Sequence, residues 1–463
     1  MHNESSKRGT FVMTLIHSED EKFFSNRALI SLILPLVAEQ FLALLIGITN
    51  TMMVSNISEA AVSSISLVDS INTLLIQLFS AMATGGAIVA AQYLGKRESL
   101  NACKAAKQLL YASLFISLTL TLGSMVFCEP ILRLFFGELE PATLRYARTY
   151  FYLSAMSYPA LALYNACAAL MRSMGDSKAS MFASLVMNVI NISCTALFVY
   201  GFHMEVQGAG LASLIARTAG AIIVVRLLMN PIGRIHLIQP FRFQFDKGMF
   251  RSIVRVGIPN GLENSIFQIG KLLVAGIIAT YSVSLVAANA IATHVGNLVN
   301  LPGTAVSLAA VSVVGFCIGA GDTQQAKYYA AKLTKVTYAM MAVCCITVFF
   351  AAESVAAVFG LTVEATEGAA ELLRHYAVFA IVFWPTSFLT PSVLRAAGDA
   401  KFTMMVSVLS MWIFRIALSY FFAYTMDLKL VGVWLAMYAD WIARSVFFVW
   451  RYRSGKWMNH RVV

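Results

Sequence analysis

Two short stretches decide how this chain is read: LMRSMGDSKAS at residues 170–180 and VLRAAGDAKFT at 393–403. Arg172, Gly175, Asp176 and Lys178 recur as Arg395, Gly398, Asp399 and Lys401, each 223 positions later. A chain that is 59% apolar and only 12% charged has little reason to write one polar phrase twice, unless a whole unit is duplicated. The surrounding sequence supports duplication. LPLVAE (34–39) and IPNGLE (258–263) share a proline followed four residues later by a glutamate. EPILRLFFG (129–137) resembles ESVAAVFG (353–360), YLSAMSYP (152–159) resembles VFAIVFWP (378–385), and GAGLA (208–212) resembles GVWLA (432–436).

What is duplicated follows from composition. A mean hydropathy of +0.73 and an apolar share well above the ~45–50% of water-soluble domains place the chain in a bilayer. Twelve apolar runs, each long enough to cross ~30 Å of hydrocarbon, lie at about 28–55, 62–94, 108–127, 149–171, 179–201, 207–229, 253–280, 285–317, 334–358, 375–394, 402–425 and 430–450. Continuous runs of this length must be helices, because lipid offers backbone groups no partners. The expected fold is an all-α polytopic membrane protein, with twelve transmembrane helices in two pseudo-symmetric six-helix bundles. Six crossings return the chain to its starting side, so the halves are parallel repeats about the membrane normal. The expected organisation is a tail (1–27), an N-terminal lobe (28–230), a linker (231–250), a C-terminal lobe (251–450) and a second tail (451–463).

The net charge of +11 reports topology rather than nucleic-acid binding. Twenty-five of the 34 lysines and arginines fall in the two tails and the even-numbered loops, which the positive-inside rule places in the cytoplasm with both termini. The first 27 residues lack an apolar signal core and read as a cytosolic tail. The seven cysteines show no metal-ligand or disulfide spacing. Phosphate-loop, HExxH, GxSxG and CxxC motifs are absent, and so is the glycine–aspartate–arginine cluster that major-facilitator proteins carry between spans two and three.

The paired RxxGD phrases, TMMVSNISEAAVSSISLVDSIN (51–72), MATGGAIVAAQYLGKRE (82–98) and GVWLAMYADWIARSVFFVWRYRSGKW (432–457) together resemble the multidrug and toxic compound extrusion (MATE) transporters, over all twelve spans. The resemblance implies a secondary antiporter, not an enzyme. It would export small amphipathic, often cationic compounds in exchange for H⁺ or Na⁺ by alternating access, without an organic cofactor. The expected setting is the plasma membrane (in a bacterium, the inner membrane), with the protein a monomer and no nucleic-acid partner. A lipid-linked oligosaccharide flippase of the same wider superfamily is the alternative. A membrane-embedded transferase would need a catalytic cluster that the sequence does not show.

Ionisable groups inside spans are the candidates for coupling, because charge in hydrocarbon is rare and costly. Glu39 and its repeat mate Glu263 each stand one turn beyond a proline that bends its span, Pro35 or Pro259. Each is expected to exchange a proton or to hold Na⁺; a structural carboxyl capped by neighbouring amides is the alternative. Lys271 is expected either to pair with a carboxylate on another helix or to respond to its protonation. Asp69 in span two and His294 in span eight occupy nearly equivalent positions; Asp69 is expected to face a cavity, with a hydrogen-bonded structural role as the alternative, and His294 is a coupling candidate for which packing is the commoner role. Asp440 and Arg444, spaced i,i+4, are expected to pair. Arg415 stands where the first half has Asn191, and Asn188 and Asn191 are expected to bond between helices. Arg172 and Arg395 are expected at the cytoplasmic face, bonded to helix carbonyl ends or to Asp176 and Asp399 of their own phrases. The chain departs from the family twice. Asn50 stands where one branch has a span-one aspartate, and YAVFAIVFWPTSFLTPSVL (376–394) lacks another branch's span-ten carboxylate.

Overall fold

The structure, a computed structural model, describes residues 22–55, 58–238, 242–360 and 362–463. Among the described residues eleven helices are long and apolar enough to cross a membrane. They are spans one (Asn26–Ser55) and two (Glu59–Gly95), three (Ser99–Val126), five (Ser177–Gly201), six (Glu205–Leu228), seven (Lys247–Ile278), eight (Val283–Gly319), nine (Thr323–Ala357), ten (Val363–Ala396), eleven (Ala400–Thr425) and twelve (Lys429–Arg453). Span four is two helices end to end, Pro141–Met156 and Tyr158–Ser173. The break has a cause. Pro159 lacks the N–H that would continue the ladder, and the chain yields at Ser157. Its repeat mate Pro385 opens a π-turn, Pro385–Leu389, which keeps span ten continuous. A short helix, Cys128–Phe136, lies between spans three and four; the sequence reading did not anticipate it.

The duplicated phrase is a helix junction. Gly175 and Gly398 have φ of +86° and +103°, a left-handed conformation that glycine adopts without a Cβ penalty. In each copy the aspartate N–H closes the preceding helix by donating to a carbonyl five residues back, Asp176 to Met171 and Asp399 to Leu394, both 3.0 Å. Asp176 then caps span five by accepting from Ala179 N–H at 3.2 Å. Asp399 makes no such cap.

Both described chain ends lie on one face of the bundle, the terminal face, where the lobes meet backbone to backbone. A Cβ added to Gly85 of span two would stand 2.8 Å from the Gly257 nitrogen of span seven. Gly95 meets Gly319 and Phe316 of span eight in the same way. Small residues permit such approach where lipid supplies no hydrophobic force between helices. Asn260 reaches Ala81 O, and Gln92 donates to Ala396 O at 2.9 Å. Span one straddles the seam, with Leu29, Leu32, Ile33 and Leu36 in a core that belongs mainly to spans eight, nine and ten. Toward the opposite end span seven exposes Leu262, Ile269, Leu272 and Leu273. The inter-lobe contacts of the paired glycines, Asn260 and Gln92 all lie in the terminal halves of their spans, so the lobes are tied together at that face.

The segment after span twelve is not a free tail. Trp457 is fully buried, Val462 N–H donates to Gln92 Oε1 of the N-terminal lobe at 3.1 Å, and His460 stacks its carbonyl over Gly398. The linker likewise lies against span three, where Gln108 donates to Gln244 O at 2.6 Å.

Candidate functional site

Glu39 and Glu263 sit on spans one and seven, 13 and 16 residues from the helix starts, or about 20 and 24 Å along the axis at 1.5 Å per residue. Each ends in a matched cage. Arg172 Nη1 donates to Glu39 Oε1 at 3.0 Å, and Ser180 Oγ to Glu39 Oε2 at 2.7 Å. Arg395 Nη1 donates to Glu263 Oε2 at 3.0 Å, and Ser407 Oγ to Glu263 Oε1 at 2.7 Å. The arginines are nearly buried, their side chains 14% and 13% exposed. The expected partners of Arg172 and Arg395, helix carbonyl ends or the aspartates of their own phrases, are replaced by these glutamates. The reason is depth. The span four–five junction is recessed, with Ser177 Oγ bonding Leu32 O of span one at 2.7 Å, so an arginine side chain reaches Glu39. The duplicated serine has shifted by one turn: Ser180 aligns with Thr403, and Ser407 with Ser184.

Asp399 is also paired. Arg451 Nε donates to its Oδ2 at 2.7 Å and His460 Nε2 lies 3.9 Å from its Oδ1. The repeat mates have diverged, Asp176 into an exposed cap and Asp399 into a buried ion pair that ties down the end of the chain.

In the N-terminal lobe Asp69 Oδ1 accepts from Asn72 Nδ2 at 3.0 Å and from Tyr150 OH at 3.2 Å. Tyr158 OH donates to Asn72 Oδ1 at 2.9 Å, and Arg217 Nη1 to Ser157 Oγ at 2.7 Å, beside the helix break. Among the described residues the hydrogen bonds to the Asp69 carboxylate come from neutral groups, and the cation that acts on it, Arg217, does so through space. This distinguishes it from Glu39 and Glu263, where each oxygen already faces a donor and one donor is cationic. A sodium ion at either glutamate would first have to displace a guanidinium.

The C-terminal lobe differs. Phe267 of span seven collects three cations, with Lys271 Nζ at 5.0 Å, Arg444 Cζ at 5.0 Å and Arg415 Cζ at 5.4 Å from its ring centroid. One carboxylate answers them. Asp440 Oδ1 takes Arg444 Nε at 3.2 Å and Ser410 Oγ at 2.5 Å, and its Oδ2 lies 3.7 Å from Arg415 Nη1. The i,i+4 pair of the sequence reading is present, and Arg415 acquires its partner from span twelve. Lys271 does not pair with a carboxylate among the described residues; its described neighbour is the Phe267 ring. His294 is exposed and joins none of these clusters. Asn191 bonds between spans, donating to Ser213 Oγ at 3.2 Å, but Asn188 bonds its own helix at Ser184 O, one turn back as in-helix amides do. The Asn50 side chain lies outside the described residues.

Sequence reasoning missed the arginine–glutamate pairs although the signal was present. The two arginines and the two glutamates repeat at offsets of 223 and 224 residues, as mutually required partners would. It also missed Tyr150, Asn72 and Phe267, which carry no motif.

The comparisons agree with this geometry. The MatE family model matches residues 35–197 and again 259–421, two copies offset by 224 positions. An uncharacterised transporter of Bacillus subtilis, YisQ, is 27% identical over 98% of this chain and 99% of its own length. A probable multidrug resistance protein NorM of Thermotoga maritima is 23% identical, over 95% and 94%. A solved structure described as the outward-facing conformation of a multidrug resistance MATE family transporter superposes with a TM-score of 0.86 at 19% identity, covering 93% of this chain and 96% of that one. With the family pattern spanning both lobes and the helical architecture matching throughout, the chain belongs to the MATE family of membrane transporters.

Proposed function

We propose that the protein is a secondary active multidrug exporter, which carries small amphipathic compounds across the plasma membrane by alternating access, in exchange for H⁺ or Na⁺. The terminal face is cytoplasmic in this reading, in keeping with the basic loops, and one chain acts as a monomer because it holds both lobes. The observation that carries the reading is a pair of duplicated lobes sealed against each other at the terminal face by paired glycines. That is one end state of a rocking cycle. The relatives named for multidrug resistance support the substrate class.

Coupling falls to Asp69 in preference to Glu39 and Glu263. Protonating either glutamate would strand a guanidinium that cannot itself lose charge. Asp69 can gain a proton, or exchange one for a cation, while Asn72 and Tyr150 reorient. The glutamates then act as locks that hold spans one and seven to the following junctions. Lys271 and His294 fall outside this coupling role, and Asn50 leaves span one without the carboxylate used by another branch. The test is dye export from proteoliposomes under separately imposed Na⁺ and proton gradients. One gradient should drive export by the wild type, while Asp69→Asn should fold, bind dye and fail to respond to that gradient. Export that neither gradient drives would overturn the reading. An Asp69→Asn variant that exports normally would remove Asp69 from it.

A further inference from the structure

The cations around Phe267 are absent from the other half of the duplication. At the repeat positions of Lys271, Arg415, Asp440 and Arg444 the N-terminal lobe has Gly47, Asn191, Ala216 and Gly220, each 224 residues earlier. The cluster is thus an addition to one lobe rather than part of the shared scaffold. Three cations against one carboxylate leave two positive charges in excess within the spans, an expensive arrangement unless something negative visits. Arg444 is satisfied by Asp440 and by Ser407 O at 3.2 Å. Arg415 is not, because its Nε is buried without a hydrogen-bond partner. It lies in the π-turn Met411–Ala417, a local widening that turns a side chain away from its regular helical direction. Lys271 is exposed, although its neighbours are Phe267 and the arginines of spans eleven and twelve, so the lobe is open at that point. Behind these charges stand aromatic faces. Phe388 packs edge-on against Phe267 and Trp441, at 6.4 and 5.8 Å between centroids.

We infer that this cluster is a binding subsite for the anionic head of an amphipathic molecule, a carboxylate, sulfonate or phosphate on an apolar body. Lys271 is the accessible contact, Arg415 the buried charge behind it, and Phe267 and Phe388 the apolar wall. The inference deepens the exporter reading and rests on it for the idea that the occupant is cargo; the binding claim stands by itself. Cationic cargo, the usual expectation for multidrug exporters, would be repelled from this lobe and confined to the side of Asp69.

Equilibrium binding to the detergent-purified full-length protein tests it, using two probes with one fluorophore and opposite charge, dansylglycine and dansylcadaverine. Dansylglycine should bind the tighter of the two. Lys271→Gln should weaken dansylglycine by about tenfold, the loss of one charge-assisted contact, and leave dansylcadaverine unchanged or tighter. Lys271→Arg should restore most of the affinity, and gel filtration and melting of both variants establish that they are folded. Added phosphatidylglycerol distinguishes the anion's source. Displacement of dansylglycine by it, and not by phosphatidylcholine, identifies a lipid head group; no displacement identifies a free amphiphile. Absence of saturable dansylglycine binding, a preference for the cation, or equal losses of both probes in Lys271→Gln would each overturn the inference. Failure of gradient-driven export with these binding results intact would count against the exporter reading alone.

Discussion

Replacing Glu263 with glutamine leaves Arg395 a nearly buried cation without its counter-charge. The size of the penalty can be worked from the cage. Glu263 accepts two hydrogen bonds, from Arg395 Nη1 and Ser407 Oγ, and Arg395 has one other described side-chain contact, Ser392 Oγ at 3.0 Å. Removing one partner of a buried pair costs about 3–5 kcal/mol. Glutamine keeps one acceptor oxygen, so the cost should fall at the low end, about 3 kcal/mol. Arg395→Gln should cost less, about 2 kcal/mol, because the stranded carboxyl can take up a proton whereas a guanidinium cannot lose one. In the double variant the two amides can bond each other, and its cost should fall below the sum of the single costs by about 1–3 kcal/mol. The same cycle on Glu39 and Arg172 should give a similar coupling, since those distances match. The assay is reversible unfolding in mixed micelles, with folded yield by gel filtration as a second readout. Additivity within about 0.5 kcal/mol would show that the pairs do not hold the helices together, and the lock role would fall. A Glu263→Gln variant that is fully stable yet uncoupled would return Glu263 to the coupling role first expected of it.

Three other outcomes follow from contacts already described. Asp176→Ala should cost about 1 kcal/mol, the loss of an exposed cap, whereas Asp399→Ala should cost about 3 kcal/mol because Arg451 loses its buried partner; equal effects in melting experiments would contradict the divergence of the two phrases. Gly95→Leu should prevent closure at the terminal face, since its side chain would enter the backbone of span eight, and should raise amide exchange across the ends of spans two and eight; wild-type protection would refute that packing. Deleting His460–Val463 removes the Val462–Gln92 bond and the His460 contact with Asp399 and should cost about 1–2 kcal/mol, with faster exchange at the same seam; an unchanged melting point would show the end of the chain to be passive.

The parts of this molecule that could be read in the sequence are those for which one-dimensional spacing has a physical consequence. The spans follow from hydrocarbon thickness. The RxxGD junctions follow from glycine's access to positive φ, and Asp440–Arg444 from the helical repeat. The i,i+4 rule sees only one helix, however, and the pairs that matter most here join two. Arg415 is within reach of Asp440 only because spans eleven and twelve adjoin, and Lys271 meets Phe267 and two arginines only because span seven packs beside both. Pro159 and Pro385 make the same limit visible. They are equivalent in sequence, yet one breaks its helix and the other opens a π-turn, an outcome set by surrounding packing. The duplication nevertheless offers a way to sort residues before any coordinates are known. Residues that both halves keep, such as Glu39 with Glu263 and Arg172 with Arg395, form the same contacts in each lobe. Residues that one half has and the other lacks, such as Asp69, Lys271 and Arg415, are not required by that shared scaffold. Their cost in the membrane makes them the first residues to test for function, and in this molecule they lie in different lobes and have opposite charge.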